Sequence, residues 1–581
     1  MVARRSPLEQ AVTTLAERWP REPSVDDELV DACNRLGWPS AADVVAFGEA
    51  AGVAVAAVGT LVVTTTGALS LLPLALVLGA VPPLAARHVP VAVAELAATR
   101  AVGDAPALVG RLTLRLRIEP SLERATAFAA DAGESTLAES LHEHARRAKG
   151  TPSAGLQSFG EEWGEKAPAI QRAAALAVDA AESPPEARDR ACERALSAVR
   201  TGVEERAAAF AGEIRAPLTG LYAFGVLLPL ALVGVLPAAR LAGVNVGIGA
   251  LTALYVVILP GGLLAASGWL LAQRPVSFPP PEIGRSQPEI PDRRGTAGLL
   301  GTVSGGATAA VCLVVLPWVA PVAAAGVGVG IALLWLFAPA RRRRREIRET
   351  EAGIPDALGL TGRRVADGVA VERALAEVAE TLPDRTGDLL TDAAGRGERL
   401  GVTVEGTFFG RFGVLRHVPS PRARDAGRLF ALAAREGAPA GDALVEAGEH
   451  LRELRRVERE ARRELATVTG TLSNTAALFG PLVGGVSVAM VGRLPDDASG
   501  SLGGGSTTGP AASTANTALD VASLGPVVGV YVLLLAAILT ALATALERGL
   551  DRSLLGYRVG IALPTATGAY VAAVVAAKAV L

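Results

Sequence analysis

The residues with the clearest capacity for chemistry are two histidines in the segment LHEHARR, His142 and His144. Side chains two residues apart on a helix point in different directions, so this pair cannot bind one metal ion from a single face. The other histidines and the three cysteines are scattered, and neither H-E-x-x-H nor C-x-x-C occurs. We therefore predict no metal site, no bound cofactor and no catalytic site.

Glycine-rich segments are the next candidates, because such loops can bind phosphate groups. The chain has no G-x-x-x-x-G-K-[ST] motif, so we do not expect it to be an ATPase itself. The segment GVGVG at residues 326–330 resembles a dinucleotide loop, but it lies inside a long apolar stretch. There, small residues are more typical of two membrane helices that pack closely.

A run of five arginines is the strongest charge feature. Arg341, Arg342, Arg343, Arg344 and Arg345 follow a stretch without charge that covers residues 295–340. The whole chain carries 56 Lys+Arg against 58 Asp+Glu, which gives no general support for nucleic-acid binding. We predict that the run anchors the inner end of a membrane span beside the anionic headgroups of membrane lipids, and that no nucleic acid is bound.

Composition places these residues in a membrane protein. The mean hydropathy is +0.37 and half of the residues are hydrophobic, yet 20% are charged. The charges concentrate in blocks between apolar segments that are long enough to cross a bilayer. The predicted fold is an all-α polytopic membrane protein with about nine transmembrane helices. The predicted spans are residues 50–63, 68–84, 218–238, 246–271, 297–315, 319–338, 469–491, 526–546 and 559–577.

The distribution of arginine predicts the orientation of these spans. With the N-terminus inside, the outer segments contain almost no arginine, apart from Arg240 and Arg493. We expect a multi-pass protein of the cell membrane whose N-terminus and two large helical domains are cytoplasmic. The predicted parts are an N-terminal segment 1–49, a transmembrane hairpin 50–84, a first helical domain 85–217, a transmembrane pair 218–271, a Pro-rich linker 272–296, a hairpin 297–338, a second helical domain 339–468, and three C-terminal spans in 469–581 with an outer Gly/Ser/Thr-rich loop 494–520.

Both large domains have the apolar spacing of amphipathic helices, with apolar residues three and four positions apart. The segment 449–467 is predicted to be a charged helix that leads directly into the span starting near Thr469. It would act as a stiff rod. Its expected buried stripe is Leu451, Leu454, Ala461, Leu465 and Val468.

The two domains also resemble each other. Residues 105–127 align without gaps on residues 354–376, which places Pro106 on Pro355 and the step Glu123-Arg124-Ala125 on Glu372-Arg373-Ala374. Each domain then leads into a span through a Thr-Gly pair, followed by a proline, Pro229 or Pro481. The same features recur in the same order, which indicates an internal duplication.

This arrangement resembles the type II secretion system F-domain family, and in particular the archaeal membrane platform proteins of type IV pili and archaella, which are related to tight-adherence platform proteins. The resemblance rests on two helical domains interleaved with spans and on the apolar-Glu-Arg-Ala step (Leu122 to Ala125, Val371 to Ala374). The family favours a glycine shortly before that step. Gly368 fits this pattern, whereas the first domain has Glu119-Pro120 instead.

The resemblance implies an inner-membrane scaffold that docks a separate hexameric secretion ATPase and moves pilin-like subunits into or out of a filament. A homodimer is left open. The candidate docking residues are Glu123, Arg124, Glu372, Arg373, Arg452, Arg455, Arg456 and Arg459. The alternative for each is a solvated helix face with intrahelical ion pairs. For the whole chain, the alternative is a transporter or permease with regulatory helical domains, although the predicted spans carry almost no ionisable side chain.

Overall fold

The computed structural model describes residues 23–66, 72–131, 135–241, 247–273, 293–491 and 521–580. These ranges are helical and contain no strand, and eight of their helices are long and apolar enough to cross a membrane. The prediction of an all-α, multi-pass membrane protein is thereby confirmed. The loop 494–520, predicted to lie outside the cell, and most of the linker 272–296 fall outside the described residues.

The first half of the chain contains a membrane hairpin, the first helical domain and a pair of spans. Its helices are α1 (Asp27–Leu36), α2 (Ala41–Thr66), α3 (Leu72–Gly103), α4 (Ala105–Ile118), α5 (Leu122–Asp131), α6 (Thr136–Arg147), α7 (Pro152–Gly164), α8 (Pro168–Glu182), α9 (Pro185–Glu213), α10 (Arg215–Tyr222), α11 (Leu228–Leu241), α12 (Ile248–Thr252) and α13 (Leu259–Ala272).

The helices of the second half form a membrane hairpin, the second helical domain and three spans. They are α14 (Arg294–Val315), α15 (Ala320–Ala366), α16 (Val371–Thr381), α17 (Asp384–Leu400), α18 (Val404–Phe409), α19 (Pro421–Glu436), α20 (Pro439–Asn474), α21 (Gly480–Val491), α22 (Val521–Arg548) and α23 (Arg552–Val580). Short 3₁₀ turns lie at Pro317–Val319 and Val414–His417.

The number of spans differs from the prediction in one place. The predicted second span, residues 68–84, lies partly outside the described residues, and helix α3, which contains its described part, is not among the eight candidates. Helix α3 contains Pro82, Pro83 and Pro90 and packs along α2. The contact is close, because a Cβ atom on Gly52 would lie 2.5 Å from the carbonyl oxygen of Gly79. The ninth span stays a prediction.

Separate cores hold the membrane part and the two helical domains together. One cluster joins residues of the last three spans to those of the pair 218–271, with Tyr255, Leu535 and Val574 fully buried. A second cluster lies within the first helical domain, and a third within the second domain. Leu114 of α4 belongs to the third cluster, so the two helical domains share apolar contacts.

Three spans contain a wide π-helical turn just before a proline. These turns are Ala223–Leu227, Ala253–Ile258 and Thr475–Phe479, and each ends two residues before a proline, namely Pro229, Pro260 or Pro481. A proline has no N–H to donate, and its ring clashes with the carbonyl four residues earlier. A π-turn widens the helix at that point and relieves the clash.

The carbonyl left without a partner by Pro229 is that of Gly225, and the hydroxyl of Tyr531 on α22 donates to it. The hydroxyl of Tyr255 donates to the carbonyl of Pro229 itself at 2.6 Å. The two tyrosine rings meet edge to face at 5.3 Å. In lipid, a backbone carbonyl without a hydrogen bond destabilises the fold by several kcal/mol. The two tyrosine hydroxyls supply these hydrogen bonds and also connect three spans.

The predicted duplication stays a prediction, although several aligned positions have matching environments. Helix α5 begins at Leu122 and α16 begins at Val371, which are aligned positions. Val109 and Leu358 are also aligned and are 3% and 0% exposed, and Ala125 and Ala374 are both fully buried. Two of the three π-turns precede Pro229 and Pro481, the prolines that follow the Thr-Gly pairs at spacings of 10 and 12 residues.

The two helical domains differ at the position of Gly368, which is aligned with Glu119 in the first domain. Gly368 has a φ of +87°, a left-handed conformation that glycine adopts at little cost and that turns the chain between α15 and α16. In the first copy, Glu119 at the end of α4 has an extended backbone with a φ of −140°. The first copy therefore needs no glycine there.

The GVGVG segment lies within α15 and packs closely on both neighbours, as predicted. A Cβ atom on Gly328 would lie 2.8 Å from the carbonyl oxygen of Gly301 on α14. A Cβ atom on Gly330 would lie 2.4 Å from the ring of Pro564 on α23. The glycines thus let three helices approach at backbone distance.

Two helices connect the membrane part to the second helical domain without a break. Helix α15 has 47 residues, which corresponds to about 70 Å at 1.5 Å per residue, against about 30 Å for the hydrocarbon core. Helix α20 continues through its π-turn into α21. Of the predicted stripe on α20, Leu454 and Leu465 are buried, and Leu451, Ala461 and Val468 are half-buried. Val457, which is also buried, was missed.

Candidate functional site

The candidate site is the junction where α15 and α20 leave the spans and form the second helical domain. The five arginines lie within α15, so the helix continues through them. Arg341 stacks over the ring of Tyr557 at 4.1 Å, Arg343 pairs with Glu346 at 3.0 Å, and Arg345 pairs with Glu349 at 2.8 Å. Arg342 is exposed. Most of the run is thus bonded within the protein.

Arg344 has a different environment from its neighbours. Its side chain is 8% exposed and forms an ion pair with Asp551, which lies between α22 and α23 and is 9% exposed. A buried charge without its partner is strongly destabilising. This pair therefore ties the end of one span to the turn between the last two, and the anchoring role of Arg344 at the membrane surface stays a prediction.

A buried polar network lies further along α15. Glu351 accepts a hydrogen bond from the hydroxyl of Ser420 at 2.7 Å and pairs with Arg422 at 3.4 Å. Arg422 also pairs with Glu458 of α20 at 2.9 Å, and Glu458 accepts from Arg462. Both carboxylates are less than 10% exposed, and Arg422 at the start of α19 bridges them, whereas Arg462 pairs with Glu458 alone.

The predicted docking residues on α20 fall into two groups. Arg452 pairs with Asp356 at 2.7 Å, and Arg455 donates to the backbone carbonyls of Ala352 and Glu351. These two side chains hold α20 against α15. Arg456 pairs with Glu453 on its own helix, and the exposed Arg459 donates to the carbonyl of Arg455.

The predicted docking residues of the repeat are exposed. Glu123 and Arg124 lie on the surface of α5, where Arg124 bonds to Glu119. Glu372 and Arg373 lie at the start of α16, and Arg373 pairs with Glu377 at 3.1 Å while 79% of its side chain is exposed. Such an exposed pair contributes less than about 1 kcal/mol, so these side chains can exchange partners at little cost.

The contact between the two helical domains was not predicted. Arg111 of α4 pairs with Asp425 of α19 at 2.9 Å, and Arg115 pairs with Glu436 at 2.8 Å. Further pairs join Arg117 to Glu446 and Arg200 to Glu453. Arginines of the first domain therefore face acids of the second. A sequence feature that could have indicated this contact is the close spacing of Arg111, Arg115 and Arg117 on α4. Their acidic partners lie more than 300 residues away in the chain, so the contact itself could not be predicted.

Two titratable groups lie in or beside this contact. Burial is the main cause that raises the pKa of Asp104 from 3.8 to about 6, with a smaller contribution from Asp425. His450 lies on α20, well before the span, where a Cβ atom on Gly110 of α4 would lie 3.6 Å from its ring. Burial lowers the pKa of His450 from 6.5 to about 4, and a hydrogen bond with the backbone of Pro106 offsets part of this shift.

We expect His450 to make the protein sensitive to acid. Because its folded pKa lies below its ordinary value, its contribution to stability is complete above pH 6.5 and is lost as the pH falls towards 4. Between pH 7.5 and 5 the wild type should lose about 1–2 kcal/mol more stability than the His450→Gln variant. Thermal unfolding of the solubilised protein at both pH values measures this difference. Asp104 contributes with the opposite sign but equally in both proteins, so it cancels. Equal losses in the two proteins would show that His450 is not buried as described.

The histidines considered first are not brought together. His142 faces Asp131 at 3.3 Å, whereas His144 faces Glu162 at 2.6 Å. Within the described ranges, no group of three or more His, Cys, Asp or Glu side chains is placed to hold a metal ion.

No protein-family model, no curated protein and no solved structure matches this chain. The function is therefore argued from the sequence pattern and from the geometry of the described residues.

Proposed function

We propose that this protein is the membrane platform of a filament-assembly or secretion machine of the type IV pilus, archaellum or type II secretion kind. In this role the two helical domains are cytoplasmic and dock a separate hexameric secretion ATPase. The spans then move pilin-like subunits between the membrane and a filament. The chain itself performs no catalysis in this proposal.

One observation carries the proposal. Helices α15 and α20 run unbroken from the second helical domain into the spans and are tied to each other by Arg422, Arg452 and Arg455. A force applied to that domain would therefore reach the spans through stiff, cross-linked elements rather than through loops. The duplicated architecture and the repeated Glu-Arg step are further support, because the resemblance stated above rests on them.

Affinity purification of the full-length protein from its native membrane tests the proposal. We expect a hexameric P-loop ATPase of the secretion type to be retained in stoichiometric amounts. If no ATPase is retained and the purified protein moves a solute across vesicles, the platform assignment is wrong and the permease alternative is favoured.

A charge reversal tests the predicted docking residues. The double variant Glu372→Arg with Arg373→Glu should lower the affinity for the ATPase about tenfold, or about 1.4 kcal/mol, because both side chains are exposed at the start of α16. The matched control reverses Glu398 and Arg399, an exposed Glu-Arg pair of the same domain outside the repeated step. Binding measured with purified components should be unchanged in the control. Equal affinities in both variants would remove the repeated pair from the docking surface.

A further inference from the structure

Exposed apolar side chains are concentrated in one segment of the second helical domain. Among the described residues of 104–217 and 341–468, the exposed large apolar side chains all lie within residues 400–412. They are Leu400, Val402, Phe409 and Phe412, which are 52%, 38%, 39% and 66% exposed and which we call the aromatic patch. Exposed apolar side chains gathered in one place on an otherwise polar surface are typical of an interaction site.

Helix geometry explains why an aromatic side chain is left at the surface here. Phe408 and Phe409 are consecutive on α18, so their side chains point about 100° apart and only one of them can enter the core. Phe408 is 1% exposed and stacks on Phe430 at 5.8 Å. Phe409 therefore faces outward.

The first helical domain shows that this helix arrangement does not need exposed aromatic side chains. Its helix α7 has the same place in the helix order, between α6 and α8, and carries Phe159 and Trp163. These two side chains are 1% and 8% exposed. The exposure of Phe409 and Phe412 is therefore a property of the second domain alone.

The turn that carries Phe412 is held by hydrogen bonds from arginine side chains. The guanidinium of Arg396 donates to the carbonyl of Phe412 at 2.5 Å. Arg416 donates to the carbonyl of Arg411 at 3.0 Å. A partner would therefore meet a preformed surface, which lowers the conformational entropy that is lost on binding.

The aromatic patch is bordered by positive charge. Residues 396–416 contain four arginines against two glutamates. The guanidinium of Arg411 lies over the ring of Phe412 at 5.7 Å. Arg411 and Arg416 are exposed, and neither forms an ion pair with any residue that the structure describes. The surface thus combines apolar side chains with positive charge that the rest of the described chain does not compensate.

The surface lies at the end of the domain that is far from the spans. Helix α15 continues from Ala340, where its apolar part ends, to Ala366, which is about 39 Å at 1.5 Å per residue. The start of α20 lies beside this far end, because a Cβ atom on Gly441 would lie 2.4 Å from the nitrogen of Ala366. Directly before it, the last turn of α19 carries Arg435, which pairs with Glu405 of α18. This position argues against a lipid bilayer as the partner.

We propose that the aromatic patch, together with Arg411 and Arg416, binds a partner protein that presents an apolar pocket edged with acidic side chains. Aromatic side chains and arginine are enriched at protein interfaces, and a few such residues supply most of the binding energy. Acidic groups on the partner match the two arginines. A second copy of this chain that met the same surface would place like charges against each other, which disfavours it.

This surface is additional to the docking pair predicted from the repeat, Glu372 and Arg373. The proposal does not depend on the platform role, because it rests on exposure and charge at residues 396–416. A secretion ATPase and any other protein with the stated chemistry are equally consistent with it.

Photo-cross-linking in the native membrane tests the proposal. The full-length protein carries p-benzoylphenylalanine in place of Phe412, cells are irradiated, and the cross-linked peptide is identified by mass spectrometry. We expect the main adduct on one other protein, in a segment with net negative charge. The variant Arg411→Glu with Arg416→Glu should lower the yield of this adduct about fivefold, because like charges would then face each other across the contact.

Matched controls are available in the first helical domain. The probe in place of Ser158, an exposed residue of α7, should give no adduct with the same partner. Reversal of two exposed arginines, Arg146→Glu with Arg172→Glu, should leave the yield at Phe412 unchanged. The proposal is overturned if the main adduct is a lipid, a second copy of this chain or a segment without net negative charge. It is also overturned if Phe412 gives no more adduct than Ser158, or if the two charge reversals have equal effects.

Discussion

Replacing Arg422 with methionine is expected to lower the stability of the protein by about 3–5 kcal/mol, because it leaves two buried carboxylates without their shared cation. Glu351 and Glu458 are 5% and 7% exposed and come from different helices, α15 and α20. Their mutual repulsion would act across the contact that holds these helices together. The midpoint of thermal unfolding of the solubilised full-length protein should fall by about 3–4 °C, because the unfolding entropy of a 581-residue chain is large.

Two further variants separate loss of charge from loss of packing. Arg364→Met removes an arginine of the same domain that is 53% exposed and pairs with Glu377, so it should cost less than about 1 kcal/mol. Adding Glu351→Gln and Glu458→Gln to Arg422→Met removes both buried negative charges, including the one that Arg462 still pairs with, and should restore much of the stability. If the triple variant were as unstable as the single one, repulsion between the carboxylates would not be the cause.

Replacing Gly448 with alanine should destabilise the second helical domain by about 2–3 kcal/mol, although alanine favours a helix over glycine by about 1 kcal/mol. A Cβ atom at this position on α20 would lie 2.6 Å from the carbonyl oxygen of Pro355 and 3.0 Å from the nitrogen of Gly359, both on α15. These are backbone atoms of a long helix, so they cannot move aside as a side chain would. The helices must separate instead.

Gly470 on the same helix is the matched control, because a Cβ atom there would meet nothing within 4 Å. Gly470→Ala should therefore leave the protein as stable as before or stabilise it slightly. Thermal unfolding of both variants, followed by circular dichroism, measures the difference. Stability gained equally at both positions would show that α15 and α20 do not approach at backbone distance.

Both predictions concern the same mechanical element. Arg422 and Gly448 act at the contact between α15 and α20, which joins the second helical domain to the spans. Under the proposed platform role, a variant that loosens this contact but still inserts into the membrane is expected to bind the ATPase and yet fail to transmit its movement. Retained ATPase binding with lost filament assembly in Gly448→Ala would therefore support the proposed platform role.

The sequence predicted those features that depend on local pattern. Apolar length identified spans, three- and four-residue spacing identified helices, and the aligned positions 105–127 and 354–376 have matching burial at Val109 and Leu358. These predictions succeed because hydrophobicity and helical periodicity act over a few neighbouring residues. The close packing of GVGVG belongs to the same class, since small residues in a span have few other uses.

The roles of individual charges could not be predicted in this way. Arg452 and Arg455 carry the same pattern on α20 as Arg456 and Arg459, yet the first two bond to α15 and the others do not. Likewise, nothing near Arg344 in the sequence distinguishes it from the rest of its run. From sequence alone, a charged side chain on a helix is predicted to be solvated unless its distant partner is known.

What the sequence by itself determined is the class of the protein: a helical chain with several apolar helices long enough to cross a membrane. Only the tertiary structure decided that Arg344 meets Asp551, that Arg111 meets Asp425, and that Arg422 meets both Glu351 and Glu458. The reason is physical. Burial of apolar surface follows from composition and periodicity, whereas an ion pair depends on a distance of a few ångströms between residues that the chain brings together only when it folds.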